Sequence, residues 1–378
     1  MNYQQLRAKI LGAMYRRILK PILFCFDAET IHTLMTHCGE LLGSVSIGRW
    51  NIKTLFFVEN TSLEQSIFDI KFENPIGLSA GFDYEARLPN ILPSVGFGFG
   101  TIGTITNKPY VGNPRPMLGR LPKSKSLLVN KGFKNNGIDH LIGQIQKKSF
   151  SIPTGLSIGK TNGTNPMTQE EAVQDVTNAF QKATDASLPI KYFELNISCP
   201  NLIGSVSFYP QEHLRHLLAT LSTIPIDKPI FIKMPITESN ESVRSMLQVA
   251  EQFPIIKGVI FGNLWKDRSS QHFDPQEIAN ATKGNFSGKP TFDRSNELIA
   301  LAYKEFGKRF VVIGCGGVFN ADDAYKKIRL GASLVQMITG MIFEGPQVIG
   351  EINLGLINLL HRDGFKNISE AIGQDNDR

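Results

Sequence analysis

From Asn74 onward, short apolar runs alternate with stretches of helical period. The runs Ile76–Ala80, Gly98–Gly103, Gly155–Ile158, Tyr192–Ile197, Ile230–Met234, Gly258–Gly262, Phe310–Gly314 and Ser333–Ile338 predict strands. Between them, Gln169–Thr184, Glu241–Phe253 and Ser295–Phe306 repeat apolar residues at helical spacing. Eight such units predict an α/β fold, a TIM (β/α)8 barrel of parallel strands. A doubly wound open sheet is the alternative. No G-x-G-x-x-G opens a helix after the first strand, so a Rossmann dinucleotide site lacks its signature.

The amino-terminal segment has a different pattern. Ile10, Leu11, Met14, Tyr15, Ile18 and Leu19 recur at helical spacing, with Lys9, Arg16 and Lys20 opposite. Pro21 is expected to end or kink this helix. Asp27 can cap a second helix reaching about Leu42, with Gly43 as its stop. Residues 1 to 26 hold Arg7, Lys9, Arg16, Arg17 and Lys20 and no acidic residue. Such a hairpin suits either packing on the main domain or lying in a membrane interface. A signal peptide fits less well, because the apolar run is short and no small-residue cleavage site follows. The expected organisation is a helical arm over 1–60, a barrel over 61–365 and a frayed polar tail over 366–378.

Composition narrows the class. The chain has 378 residues, 42% of them hydrophobic, enough for a large core. A net charge of +6 is mild, and no basic tract with interleaved aromatics suggests nucleic acid. Cys25, Cys38, Cys199 and Cys315 form no C-x-x-C pair, so zinc and iron–sulfur ligation are not expected. Their wide spacing fits a reducing cytoplasm. No apolar run approaches the ~20 residues of a membrane-spanning helix.

In a barrel of this kind all strand C-terminal ends face one mouth. The polar and glycine signals fall there. Glu194-Leu-Asn-Ile-Ser-Cys-Pro-Asn201 ends a buried strand in a thiol flanked by Asn196 and Asn201. A thiolate can take a proton, and amides can hold a planar polar substrate. Ile230-Phe-Ile-Lys-Met234 buries a lysine stem in an apolar strand, which is costly unless the ammonium meets an anion. Gly314-Cys-Gly-Gly317 and Thr339-Gly340 follow the last two strands, where bare backbone N–H groups can cradle a phosphate.

These residues resemble the dihydroorotate dehydrogenase family from about Tyr15 to Ile352. The matching motifs include Asn74-Pro-Ile-Gly-Leu-Ser-Ala-Gly-Phe-Asp83, Gly103-Thr-Ile-Thr106, Asn113-Pro-Arg-Pro116, Asn196-Ile-Ser-Cys-Pro-Asn201 and Gly331-Ala-Ser-Leu-Val-Gln336. Phe24-Cys-Phe-Asp-Ala-Glu-Thr-Ile-His32 looks like the arm of the membrane-associated, quinone-linked class. The resemblance implies an FMN-containing barrel that oxidises dihydroorotate to orotate in pyrimidine synthesis. By position, Ala80, Gly81, Thr104, Ser157, Asn196, Lys233, Gly262, Gly288, Gly316, Gly317, Ile338 and Thr339 would hold FMN. Tyr84, Asn130, Lys131, Lys134, Asn196, Asn201 and Asn263 would meet the substrate, with Cys199 as catalytic base and no metal. A quinone and the cytoplasmic side of the inner membrane, bound peripherally through the arm, are the implied partners.

The chain departs from the family pattern in several places. Cys199 stands where the quinone-linked class carries Ser, and resembles the soluble class, whose acceptors are fumarate or an iron–sulfur partner. Tyr84 replaces a substrate-contacting Lys, and Ser157 replaces an Asn. The loop Asn130-Lys-Gly-Phe-Lys-Asn-Asn-Gly137 is one residue short, so Lys131 or Lys134 is expected to supply the lost ammonium. A related flavin enzyme on another pyrimidine or cyclic amide, and a flavin-binding protein without turnover, stay open.

Overall fold

Each of the eight apolar runs becomes a strand of one closed barrel in the computed structural model, which describes residues 3–165 and 167–376. The strands are β1 (Ile76–Leu78), β2 (Phe99–Ile105), β3 (Thr154–Ile158), β4 (Tyr192–Asn196), β5 (Ile230–Met234), β6 (Ile256–Phe261), β7 (Val311–Cys315) and β8 (Ala332–Met337). Neighbours pair in parallel, and β8 closes on β1 through Val335 opposite Ile76. The open-sheet alternative is therefore excluded. Helices Gln169–Asp185, Asn240–Ala250 and Phe292–Phe306 cover the strands within a few residues of the predicted bounds. Thr168 and Glu171 form a capping box that fixes the first of these starts.

Two apolar regions hold the barrel. Between strands and helices, Val173, Phe180, Leu218, Val243 and Leu247 are wholly buried. Each such side chain contributes about 1.5–3 kcal/mol through burial. Inside, Phe72, Phe99, Tyr192 and Phe231 pack with Ile260 and Leu334. A Cβ on Gly155 would stand 2.1 Å from the Tyr192 ring, so glycine is what lets this aromatic layer fit. The hairpin Gln65–Ile67 and Ile70–Phe72 brings Phe72 against Phe99, with ring centroids 5.5 Å apart, and plugs the N-terminal end. The usable opening is the C-terminal mouth. A three-stranded antiparallel sheet, Leu118–Leu121, Ser126–Val129 and Asn285–Gly288, adds a wall there that the alternating pattern does not reveal.

The arm differs from expectation in three ways. Pro21 does not end the first helix. A π-helical turn, Tyr15–Leu19, precedes it, and helix resumes over Lys20–Phe24. The shifted turn accommodates the donor that proline lacks. Asp27 does cap the second helix, accepting from the Thr30 amide at 2.9 Å, but that helix runs over Ala28–Ser44. Gly43 stays helical because its bare Cα faces Ile91; a Cβ would lie 3.2 Å from the Ile91 amide nitrogen. Finally, Arg16 turns toward the barrel, 3.6 Å from Glu344 and 3.5 Å from Glu351. Ala8 and Gly12 form the packed face, while Ile10, Met14 and Ile18 stay exposed.

The polar tail is docked rather than frayed. Ile368 and Ala371 are buried, Asp375 pairs with Arg329 at 2.7 Å, and Asn376 donates to Leu330 O at 2.6 Å. Its polar side chains find fixed partners, a pairing that sequence alone does not display. Residues 377 and 378 of that tail lie outside the described residues.

Candidate active site

The strand ends converge on a cavity of about 390 Å³. Ala80, Gly81, Thr104, Asn196, Cys199, Asn201, Lys233, Asn263, Ile338 and Thr339 line it. Tyr84, Lys131 and Lys134 line it from the loop side. An adjoining cleft adds Gly262, Gly288, Gly316 and Gly317. Ser157 stands one step back, 3.0 Å from the Thr104 hydroxyl, which also accepts from Asn196 Nδ2 at 2.8 Å. Asn130 is buried under the loop and accepts from Asn113 Nδ2 at 3.1 Å.

Cys199 follows the end of β4, where Asn196 Oδ1 accepts from the Ser198 amide and hydroxyl and fixes the turn. The thiol is half-buried in the cavity wall, and desolvation by the groups packed around it pushes its pKa up to about 11. An Asn201 backbone hydrogen bond and the charges of Lys233, Lys160 and Lys266 pull the other way without cancelling it. The pKa thus lies above the ~8.5 of a free thiol. Asn201 Oδ1 accepts from Asn285 Nδ2 at 2.6 Å, and its own Nδ2 donates to Val129 O at 3.0 Å.

The loop lysines separate. Lys134 Nζ sits 3.0 Å from the Glu29 carboxylate, tying the arm to the loop. Lys131 is buried, with its ammonium 4.6 Å from the Tyr84 ring centroid. Burial lowers the Lys131 pKa to about 8, although Glu29 opposes the shift. Burial likewise raises the Tyr84 phenol well above its usual range. A cation over an aromatic face is attracted by the ring quadrupole, so Tyr84 supports Lys131 where the family pattern has a lysine of its own.

The Lys233 ammonium, 5% exposed, donates to the neutral Ser79 hydroxyl at 3.1 Å. The lysine ion pairs among the described residues all involve other lysines. Around it, Gly316 (φ +99) and Gly317 (φ +72) occupy left-handed conformations. A Cβ on Gly317 would stand 2.5 Å from Phe292 Cβ. The result is a glycine cradle whose backbone a ligand can approach closely, with an unneutralised cation at its edge. That donor set fits a phosphate-bearing anionic cofactor.

Several site residues carry no mark in the reading of motifs. Lys160 is buried behind Cys199, donates to Thr161 O at 3.0 Å, and has its pKa lowered by burial. It lies two residues past the strand Thr154–Ile158, whereas Lys233 stands inside its strand, so the cue that marked Lys233 is missing here. Arg120 and His32 line the outer part of the cavity with Tyr15, Phe24 and Leu42. Arg120 Nη1 donates to Phe26 O at 2.7 Å, and burial lowers the His32 pKa to about 4. Phe24 and His32 bound the arm motif given above, but Arg120 joins them only when the arm docks, so no local pattern announces their meeting. The same cavity therefore runs from Cys199 and Lys233 to the underside of the arm.

Fold and site together define a (β/α)8-barrel enzyme with its reactive groups at the C-terminal mouth. Comparison with known proteins narrows this. The family model described as dihydroorotate dehydrogenase matches residues 62–360. Dihydroorotate dehydrogenase (quinone) of Christiangramia forsetii is 35% identical over 90% of this chain and 98% of the relative. The protein of that name from Trichodesmium erythraeum is 34% identical over 95% of this chain and 98% of its own length. A crystal structure of DHODH from Eimeria tenella in complex with ferulenol superposes with TM-score 0.81 at 26% identity, covering 93% and 96% of the two chains. The chain belongs to the dihydroorotate dehydrogenase family.

Proposed function

We propose that this chain oxidises dihydroorotate to orotate in pyrimidine synthesis, with FMN in the glycine cradle and a quinone as final acceptor. The observation that carries the reading is the single cavity joining Cys199 and Lys233 to the apolar underside of the arm. The quinone named in the relatives' descriptions suits that apolar passage. FMN would be held by Gly288, Gly316, Gly317 and Thr339 at its phosphate and by Lys233, Thr104 and Asn196 at its ring. Bound there, it supplies a two-electron acceptor beside the substrate.

The protein's own share is positioning and proton transfer. Cys199, as thiolate, takes a proton from the substrate carbon next to a carbonyl. Asn130, Asn196, Asn201 and Asn263 orient the ring, and the Lys131 ammonium meets the carboxylate. Fixing the ring in this way lowers the entropy still to be lost at the transition state. The exposed Ile10, Met14, Ile18 and Ile22 with Lys9 and Arg17 support peripheral docking on anionic membrane. No helix among the described residues is long and apolar enough to cross a membrane.

The test is spectroscopic. Purified protein should carry an oxidised-flavin band that bleaches when dihydroorotate is added without oxygen and returns when quinone follows. A flavin band untouched by dihydroorotate overturns the substrate assignment. Recovery with fumarate but not with quinone overturns the acceptor.

A further inference from the structure

Lys327 lies wholly inside the protein, 0% exposed, on the helix Ala321–Arg329 that follows the cradle. Its ammonium donates to Ser295 Oγ at 3.0 Å and Asn296 Oδ1 at 2.9 Å, and faces the Phe292 ring at 5.0 Å. These partners are all neutral. Asp293 is engaged with His272 at 2.8 Å, and Asp323 accepts from the Phe319 amide at 2.9 Å. Burial, reinforced by Lys289 and opposed by Cys315, Asp323 and Asp293, lowers the Lys327 pKa to about 7, so the charged form is costly here and is favoured when an anion arrives.

Its position gives that cost a use. Lys327 Cδ would touch a Cβ on Gly314 at 3.1 Å, so the stem lies directly behind β7. Ser295 Oγ, which accepts from the ammonium, donates onward to Cys315 O at 2.6 Å. Two hydrogen bonds therefore join the charge to the turn Gly314–Gly317 from its rear, while the cleft opens on the other side. Thr291 and Phe292, which crowd Gly316 and Gly317, belong to the same segment as Ser295.

We propose that Lys327 is a hidden counter-charge for the phosphate of the bound flavin nucleotide, acting from behind the cradle and selecting phosphorylated over unphosphorylated flavin. The inference rests on the reading that the cradle takes FMN. Lys327 is a positioning and specificity residue, since it lies behind the turn and does not line the cleft. A phosphate monoester carries about −1.5 to −2 charge near neutrality. At an effective dielectric near 20, a unit charge roughly 12–15 Å from such a group should favour it by roughly ten- to a hundred-fold in affinity.

The experiment uses the full-length chain stripped of flavin and titrated separately with FMN and with riboflavin. Lys327→Met keeps the stem and removes the charge; Lys327→Gln also keeps a hydrogen-bonding head. In both, FMN should bind roughly ten- to a hundred-fold more weakly while riboflavin binds as in wild type. Both flavin-free variants should unfold in one cooperative transition, as wild type does, so that lost FMN affinity is not lost fold. Equal loss for FMN and riboflavin would mean a merely structural lysine, and unchanged FMN affinity would remove the counter-charge; either overturns the inference. Wild-type protein that binds neither flavin overturns the cofactor reading, and the inference with it.

Discussion

Cys199→Ala, read across pH, tests the proposed base most directly. Burial holds the thiol near a pKa of about 11 despite nearby lysines. The thiolate is the reactive form, so at pH 8 only about one enzyme molecule in a thousand carries it. Each pH unit gained below the pKa should raise the chemical rate about tenfold. With dihydroorotate kept saturating, orotate formation with a water-soluble quinone analogue should thus climb steeply between about pH 7 and 10, well past the ~8.5 of a free thiol. Removing the thiol should cost roughly 10²–10⁴ in rate and abolish the slope. Lys160→Met should push the profile to still higher pH, because the Lys160 charge is one of those lowering the thiol pKa. A profile flat from about pH 7 to 9, or an Ala variant as fast as wild type, refutes the assignment.

Two further outcomes follow from the loop and the arm. Lys131→Ala should weaken orotate binding by about one to two decades, while Lys134→Ala should leave it unchanged, because Lys134 is spent on Glu29. Lys131 loses its proton through a pKa of about 8, so wild-type affinity should fall as pH rises past that point; calorimetric titration that finds Lys131→Ala binding like wild type removes the carboxylate role. Deleting residues 1 to 26 should leave orotate formation with a soluble acceptor largely intact, abolish liposome binding and sharply slow reaction with a long-tailed quinone. Full speed with that quinone after truncation would dismiss the arm as its entry.

Much of the site was legible because chemistry at strand ends leaves a local trace. Asn196, Cys199, Asn201, Lys233 and the Gly316–Gly317 pair each interrupt an apolar run, and the structure gathers them around one cavity. Lys327 left no such trace. Between Lys326 and Arg329 it reads as one more charge in a basic helix end, yet it is wholly buried while Lys326 is exposed. Arg16 reads as part of the basic face opposite the apolar stripe, yet it pairs with Glu344 and Glu351, more than three hundred residues away in sequence.

The sequence by itself determined the eight strand–helix units, the order in which they meet, and hence which residues face the mouth, because unbroken apolar runs and the 3.6-residue period are local properties. Tertiary structure alone decided the rest. Which of Lys131 and Lys134 lies free, how far burial lifts the Cys199 thiol, and whether the tail frays depend on partners distant in sequence. So does the cavity beneath the arm, which exists only where the helix Ala28–Ser44 packs across the barrel mouth. Charges and thiols take their chemistry from the dielectric and the neighbours that folding gives them.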